Sequence, residues 1–333
     1  MLDLHIDTLL WMRLFGYDIG RRHRNRLPTR PFGFHMDLPR AREGGLDAAV
    51  MGLVINPAEV RPELMLPLKA LAWWESGYGI AQTLETLDLL AEARRRYPDR
   101  LEVIRRGSDI RRAASEGRFA ALAGLEGAQG LEGDLGNLTA AYERGLRLVG
   151  LVHFQATAAG HPMTVSAFRD RGLTSFGYEL IGEMARLGMV VDLAHLNAVG
   201  VADAISALRQ PFVVSHTACR ELRDHPRNLD DDQLKRVADR GGLIGLAVGR
   251  SFTGGGGLET FLDHAEHALR VAGPDAVALG SDYDGLIIPE SGMGDVRAYP
   301  GITGGLLRRG WAPEVVQKLL GANAVRVLTD VTG

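Results

Sequence analysis

Residues 189–227, MVVDLAHLNAVGVADAISALRQPFVVSHTACRELRDHPR, decide how the rest of this chain is read. An apolar run from Met189 to Ala194 ends in His195. A helical pattern follows from Asn197 to Leu208, with Val199, Ala202, Ile205 and Leu208 at helical spacing. Pro211 breaks it, and a second apolar run, Phe212 to Val214, leads to Ser215 and His216. Strand, helix, strand in this order is one βαβ unit, its buried strands written as continuous apolar runs. Each strand ends in a histidine. Parallel neighbours lie about 4.8 Å apart, so two imidazoles at their carboxyl ends can reach one metal ion. Two separate, inert, hydrogen-bonded histidines are the alternative.

The same alternation runs outward in both directions. LDLHID (2–7) reads as a strand, and strict period two would put Asp3, His5 and Asp7 on one face. A helix at 36–45 and a strand at 46–55 follow. An insertion comes next, holding a strong helix at 77–96, a minor strand at 101–104 and a short helix at 108–117; Trp73 and Trp74 precede it. Further strands are expected at 119–127, 146–153, 242–248 and 277–285, with helices at 136–144, 175–187, 230–240, 258–271 and 312–328. Eight strands alternating with helices predict a single (β/α)8 TIM-barrel domain over 1–333, with an insertion between strands 2 and 3. Active sites of such barrels lie at the carboxyl ends of the strands. The polar groups there are His5, Asp7, Glu126, His153, His195, His216 and Asp282. Buried charges need partners, and metal would satisfy most of them together. A doubly wound nucleotide-binding fold needs a GxGxxG turn after a strand, which is missing. GGGG at 254–257 lacks a Walker lysine and reads as a flexible loop.

Composition narrows the function classes. The 333 residues are 46% hydrophobic and 24% charged, with a formal charge of −3, so neither nucleic acid nor an anionic membrane is an expected partner. Cys219 is the only cysteine, which excludes a disulfide and a thiolate cluster; it reads as a passive thiol. Lysine occurs only at Lys69, Lys235 and Lys318, none ending a strand, so a carboxylated lysine bridging two metals has no candidate. No basic leader precedes the first strand and no run approaches 18 apolar residues, so a cytoplasmic protein is the expectation.

With these residues assembled, the chain resembles the membrane (renal) dipeptidase family of the metal-dependent amidohydrolase superfamily. DLHID (3–7), MDLPRAREGGLDA (36–48), LEG (125–127), VH (152–153), GLTSFG (172–177), DLAH (192–195), SH (215–216), RN (227–228) and SDYDG (281–285) carry the resemblance. It implies two divalent metal ions, zinc above all. His5 and Asp7 would hold one, His195 and His216 the other, and Glu126 would bridge them. It also implies Asp282 as acid/base, His153 on the substrate carbonyl, and Arg227 on the substrate's terminal carboxylate. The implied function is a metallo-dipeptidase that cleaves small dipeptides by means of a metal-bridging hydroxide. The same site would serve an amidase or deacylase for N-acyl amino acids, or a β-lactam-opening hydrolase; a non-catalytic barrel is a further class. A homodimer is compatible with these features. One departure stands out: the family has asparagine three residues after the His153 equivalent, and here that residue is Ala156. His161 nearby has no assigned role.

Overall fold

The computed structural model describes residues 1–24, 34–55 and 79–333. Trp73, Trp74 and Lys69 lie outside the described residues. The strands are β1 (Leu2–Ile6), β2 (Ala48–Val54), β3 (Leu101–Ile104), β4 (Phe119–Glu126), β5 (Leu146–Gly150), β6 (Val190–Asp192), β7 (Val213–Thr217), β8 (Leu243–Leu246) and β9 (Val277–Leu279). All pair in parallel, in the order β2-β1-β9-β8-β7-β6-β5-β4, and β2 pairs with β4 from Ala48↔Ala120 to Val54↔Glu126. That last ladder closes eight strands into a barrel. The helices between them complete a (β/α)8 TIM barrel. β3 is extra: it borders the first half of β4, while β5 borders the second half. The insertion therefore enters where expected, between the second and third barrel strands.

Alternation along the strands separates two apolar layers. Leu4, Val50, Leu122, Leu148, Val190, Val213, Leu243 and Ala278 share one cluster with Ala324, Val327 and Leu328 of the helix Asn323–Thr332. These residues come from every barrel strand, so they fill the interior, and the terminal helix stoppers its amino end. Met51, Leu53, Leu125, Val149, Val191, Ile244 and Leu279 belong to the larger cluster under the surrounding helices. Fully burying one such side chain contributes roughly 1.5–3 kcal/mol.

The two-residue alternation fails at places that matter. Asp3 pairs with Ala49 but Ile6 with Met51, so β1 holds one extra residue between them. A bulge of this kind re-aims the side chains beyond it. Asp3 therefore does not share a face with His5 and Asp7, as strict alternation requires. Its carboxylate accepts the backbone N–H of His5 and of Ser281, both at 2.9 Å, and the hydroxyl of Tyr299. His5 and Asp7 turn instead toward the barrel axis, beside Gly52 and Glu126. β7 slips likewise between Val214 and Thr217, around Ser215 and His216.

Helix ends follow their caps. Asp230 and Gln233 form a reciprocal capping box at the start of Asp231–Asp239. Asn197 caps Ala198–Ala207 through Gly200 N, 2.8 Å, and its amide donates to Phe168 O and Arg171 O, tying down the loop 155–172. The helix expected at 312–328 is interrupted at Gly321, φ 158°, where a Cβ would come 2.9 Å from Leu2 N. A helix at Tyr299–Arg308 was not expected, because YPGITGGLLR is rich in poor helix formers. Gly305 has a packing reason: a Cβ there would sit 2.3 Å from Leu262.

Candidate active site

Glu126 ends β4 and projects from the regular ladder into the barrel mouth. Four imidazoles converge on its Oε1: His195 Nε2 at 3.1 Å, His5 and His153 Nε2 at 3.4 Å, and His216 Nε2 at 3.5 Å. His195, in the turn three residues past β6, and His216, within neighbouring β7, bring their Nε2 atoms within 2.9 Å. Two lone pairs repel at that distance, and only a proton or a cation makes the approach attractive. His5 stacks on His216 with centroids 4.0 Å apart. Asp7 Oδ1 lies 3.3 Å from His5 Nε2, yet both atoms are buried without a hydrogen bond. Asp282 joins His5 and His216 in a group whose ligand atoms lie within 4.8 Å; Glu126 with His153 and His195, and His5 with Asp7 and Glu126, form two more.

The backbone is bent to make this possible. His195 and Asp282 both sit at positive φ, 68° and 64°, as do Asp284 and Leu286 in the same turn as Asp282. Non-glycine residues rarely adopt this region, and such strain clusters at functional sites. Glycines clear the remaining space. A Cβ on Gly52 would lie 1.9 Å from Asp7 Oδ1, and one on Gly285 2.1 Å from Asp282 Oδ1.

Burial and crowded charge set the protonation states. Burial and the Asp7 carboxylate push Glu126 up to about 7, against His5 and Arg227. Burial, with Asp7 and Glu126, raises Asp282 well above the ordinary carboxylate value. Burial and the positive charge of Arg227 hold His153, His195 and His216 well below 6.5, whereas His5 is raised well above it because Asp7 and Glu126 overcome its burial. Neutral imidazoles beside carboxylates that crowd one another form a donor set suited to divalent metal, whose charge would take the place of the shared protons. The orphaned His5 Nε2 and Asp7 Oδ1 fit the same requirement.

One ligand candidate is oriented from behind. Ser215 Oγ donates to Asp192 Oδ2, so it accepts from His216 Nδ1 at 2.9 Å. The proton is thereby fixed on Nδ1, leaving Nε2 free to coordinate. Asp192 Oδ1 also accepts Ser215 N and Ala194 N, both at 2.9 Å.

Above this floor lies a cavity of about 500 Å³. Arg227 is buried in its wall. One Nη donates to His216 O at 3.3 Å, Nε has no partner, and no carboxylate among the described residues forms an ion pair with it. The chain matches the membrane dipeptidase family (peptidase family M19) over residues 1–333. It belongs to that family. Membership makes it a metallo-dipeptidase. Dipeptidase tcpJ of Claviceps purpurea is 29% identical across 99% of this chain and 76% of its own. Dipeptidase verJ of Clonostachys rogersoniana is 30% identical across 75% of this chain and 65% of its own. Among solved structures, a Rhodobacter sphaeroides metallopeptidase liganded with a phosphinate mimic of the dipeptide L-Ala-D-Ala is 26% identical, with a TM-score of 0.85 over 99% and 98% of the chains. Dipeptidase AC, an M19 metallopeptidase, is also 26% identical, with a TM-score of 0.84 over 100% and 98%.

The structure thus gathers all eight residues singled out in this metallo-dipeptidase's sequence: His5, Asp7, Glu126, His153, His195, His216, Arg227 and Asp282 all line the cavity or its floor. Asp284, the neighbour that could have shared the acid/base role, does not join them. It is fully buried, and its carboxylate accepts Thr8 Oγ1 and His35 N, both at 2.6 Å. His161 hydrogen-bonds Gly172 O and stiffens the loop, and Ala156 is exposed outside the cavity lining. Cys219 is buried, its thiol pushed up to about 12, as a passive residue should be. The dipeptidase's sequence gave no notice of Arg250, Ser251, Phe252 and Leu286 to Ile288, which form one wall. Among the described residues, no helix is long and apolar enough to cross a membrane.

Proposed function

We propose that this protein is a zinc-dependent dipeptidase that cleaves dipeptides bearing a free C-terminal carboxylate. One observation supports this above others: a buried guanidinium without a carboxylate partner shares a cavity with the imidazole–carboxylate floor. His5 and Asp7 are assigned to one ion, His195 and His216 to the other, and Glu126 to both. Bound there, two divalent ions would polarise the amide carbonyl and make a water nucleophilic near neutral pH. Zinc suits imidazole with carboxylate.

The chain's own residues supply the rest. Arg227 clamps the substrate carboxylate and sets the register of the scissile bond. His153, held neutral, donates from one ring nitrogen to the carbonyl oxygen as charge develops on it. Asp282, with its raised proton affinity, accepts a proton from the attacking water and passes it to the departing amine. The reading takes the barrel over 1–333 as one domain. Its test is a panel of metal-loaded reactions: dipeptides with L- or D-configured second residues, their C-terminal amides, and N-acyl amino acids. Cleavage of the free dipeptides, with amides and N-acyl compounds poor, is expected. Faster cleavage of N-acyl amino acids would replace the dipeptidase with a deacylase.

A further inference from the structure

The cavity wall contains a second arginine that the mechanism leaves unused. Arg250 opens a short helix, Arg250–Thr253, and lines the same cavity as Arg227, but it is exposed where Arg227 is buried. Among the described residues no carboxylate pairs with its guanidinium. The carboxylates lining the cavity, Asp7, Glu126 and Asp282, all belong to the floor. Among the described residues, the rim thus presents a positive charge with no carboxylate beside it to whatever projects outward from the substrate.

This arginine is held in place. Arg250 N donates to Ile288 O, and Glu290 N to Val248 O, each at 2.9 Å, so residues 248–250 and 288–290 meet in an isolated antiparallel bridge at Gly249 and Pro289. Glu290, buried at 2% exposure, accepts Thr253 Oγ1, Gly255 N at 2.8 Å and Gly257 N at 2.7 Å. The GGGG run is the loop its composition suggested, and two of its amides are wrapped on a carboxylate. Gly255, φ 93°, lies under Arg250: a Cβ there would stand 3.4 Å from its Nη2. The segment also docks on the arm that carries Arg227. Asn228 Nδ2 donates to Phe252 O at 2.8 Å, and the Phe252 ring meets His225 edge-on at 5.2 Å and Arg227 at 5.9 Å. Arg250 therefore lies on the side where the C-terminal half of the substrate is held.

We propose that Arg250 is a specificity-determining residue whose guanidinium receives an anionic side chain on the substrate's C-terminal residue, favouring dipeptides that end in glutamate or aspartate. The proposal rests on the dipeptidase reading and names its substrate class. The test compares kcat/KM of the metal-loaded protein on Ala-Glu and Ala-Gln, nearly identical in shape, with L and D second residues. The Glu substrate should be favoured about 3- to 30-fold, between an exposed ion pair and a well-made charged hydrogen bond. Added salt should shrink the ratio, because the rim is open to solvent. Arg250→Ala should bring it near one, and Arg250→Glu should carry it below one, in variants with unchanged metal content and circular dichroism. A ratio near one in the unmodified protein, or one that survives Arg250→Ala, would overturn the proposal. So would equal losses on both substrates, which would put Arg250 on the backbone carboxylate. Cleavage of neither would remove the dipeptidase reading, and this inference with it.

Discussion

The floor and the rim of this cavity are built by opposite means. The floor stands at and just beyond the carboxyl ends of the barrel strands, where packing immobilises each side chain. Its ligand candidates are almost wholly buried and crowd around one oxygen of Glu126. The rim stands on the segments 225–227, 250–252 and 285–288, held to one another by the Arg250 N–Ile288 O hydrogen bond and the Asn228 amide on Phe252 O, with the buried carboxylate of Glu290 holding the adjoining residues 253–257. A rigid floor suits chemistry, which tolerates little displacement of reacting groups. A rim of loops suits selection, because its side chains can change without disturbing the barrel.

That division can be broken or sharpened by substitution. The largest effect is expected on the floor. Asp282→Asn should lower kcat by roughly 10²–10⁴, the usual loss for a general acid/base, while metal content stays the same. Near-normal turnover would place proton transfer elsewhere, and Asp284 is too enclosed to take it over. Next comes the inner wall. C-terminal amidation, or Arg227→Ala acting on the free acid, should cost about 10- to 150-fold in kcat/KM, from one charged hydrogen bond of about 1.5–3 kcal/mol. Lysine at 227 should restore only part of it. Equal rates on acid and amide would erase the clamp.

Support from behind the floor should matter about as much for metal as the clamp does for substrate. Ser215→Ala removes the acceptor of His216 Nδ1, and metal affinity should fall roughly 10- to 100-fold, measured by competition with a chromophoric chelator. Unchanged affinity would mean that packing alone orients the ring. The smallest effect belongs to the outer rim. Glu290→Ala frees three donors, two amides of the glycine loop and the Thr253 hydroxyl, so KM should rise several-fold with kcat nearly kept, the pattern of lost uniform binding. A fall in kcat instead would show that the rim takes part in the chemistry.

The same contrast explains what could be read from the sequence. Apolar runs ending in His195, His216, Glu126 and His153 announced the barrel and most of its floor, because buried parallel strands and their polar carboxyl ends are local features. Asp3 was misplaced because a one-residue bulge in β1 leaves no trace in the alternation of LDLHID. Asp192 and Ser215 stood beside the histidines in sequence, yet their relay depends on two strands being neighbours. Arg250 and Glu290 are forty residues apart, and the meaning of GGGG emerges only when the buried carboxylate is in view. The helix Tyr299–Arg308 went unseen because its glycines serve packing against Leu262, a tertiary reason that overrides propensity.

The central proposal is that Glu126 would be shared by two divalent ions, so that the floor would work as one unit. Elemental analysis of the purified, metal-replete protein and of Glu126→Ala tests it most directly. Two divalent ions per chain are expected, with both sites depleted in the variant because the bridge is shared. One ion or none in the replete protein, or a variant that loses a single ion and binds the other normally, would contradict it.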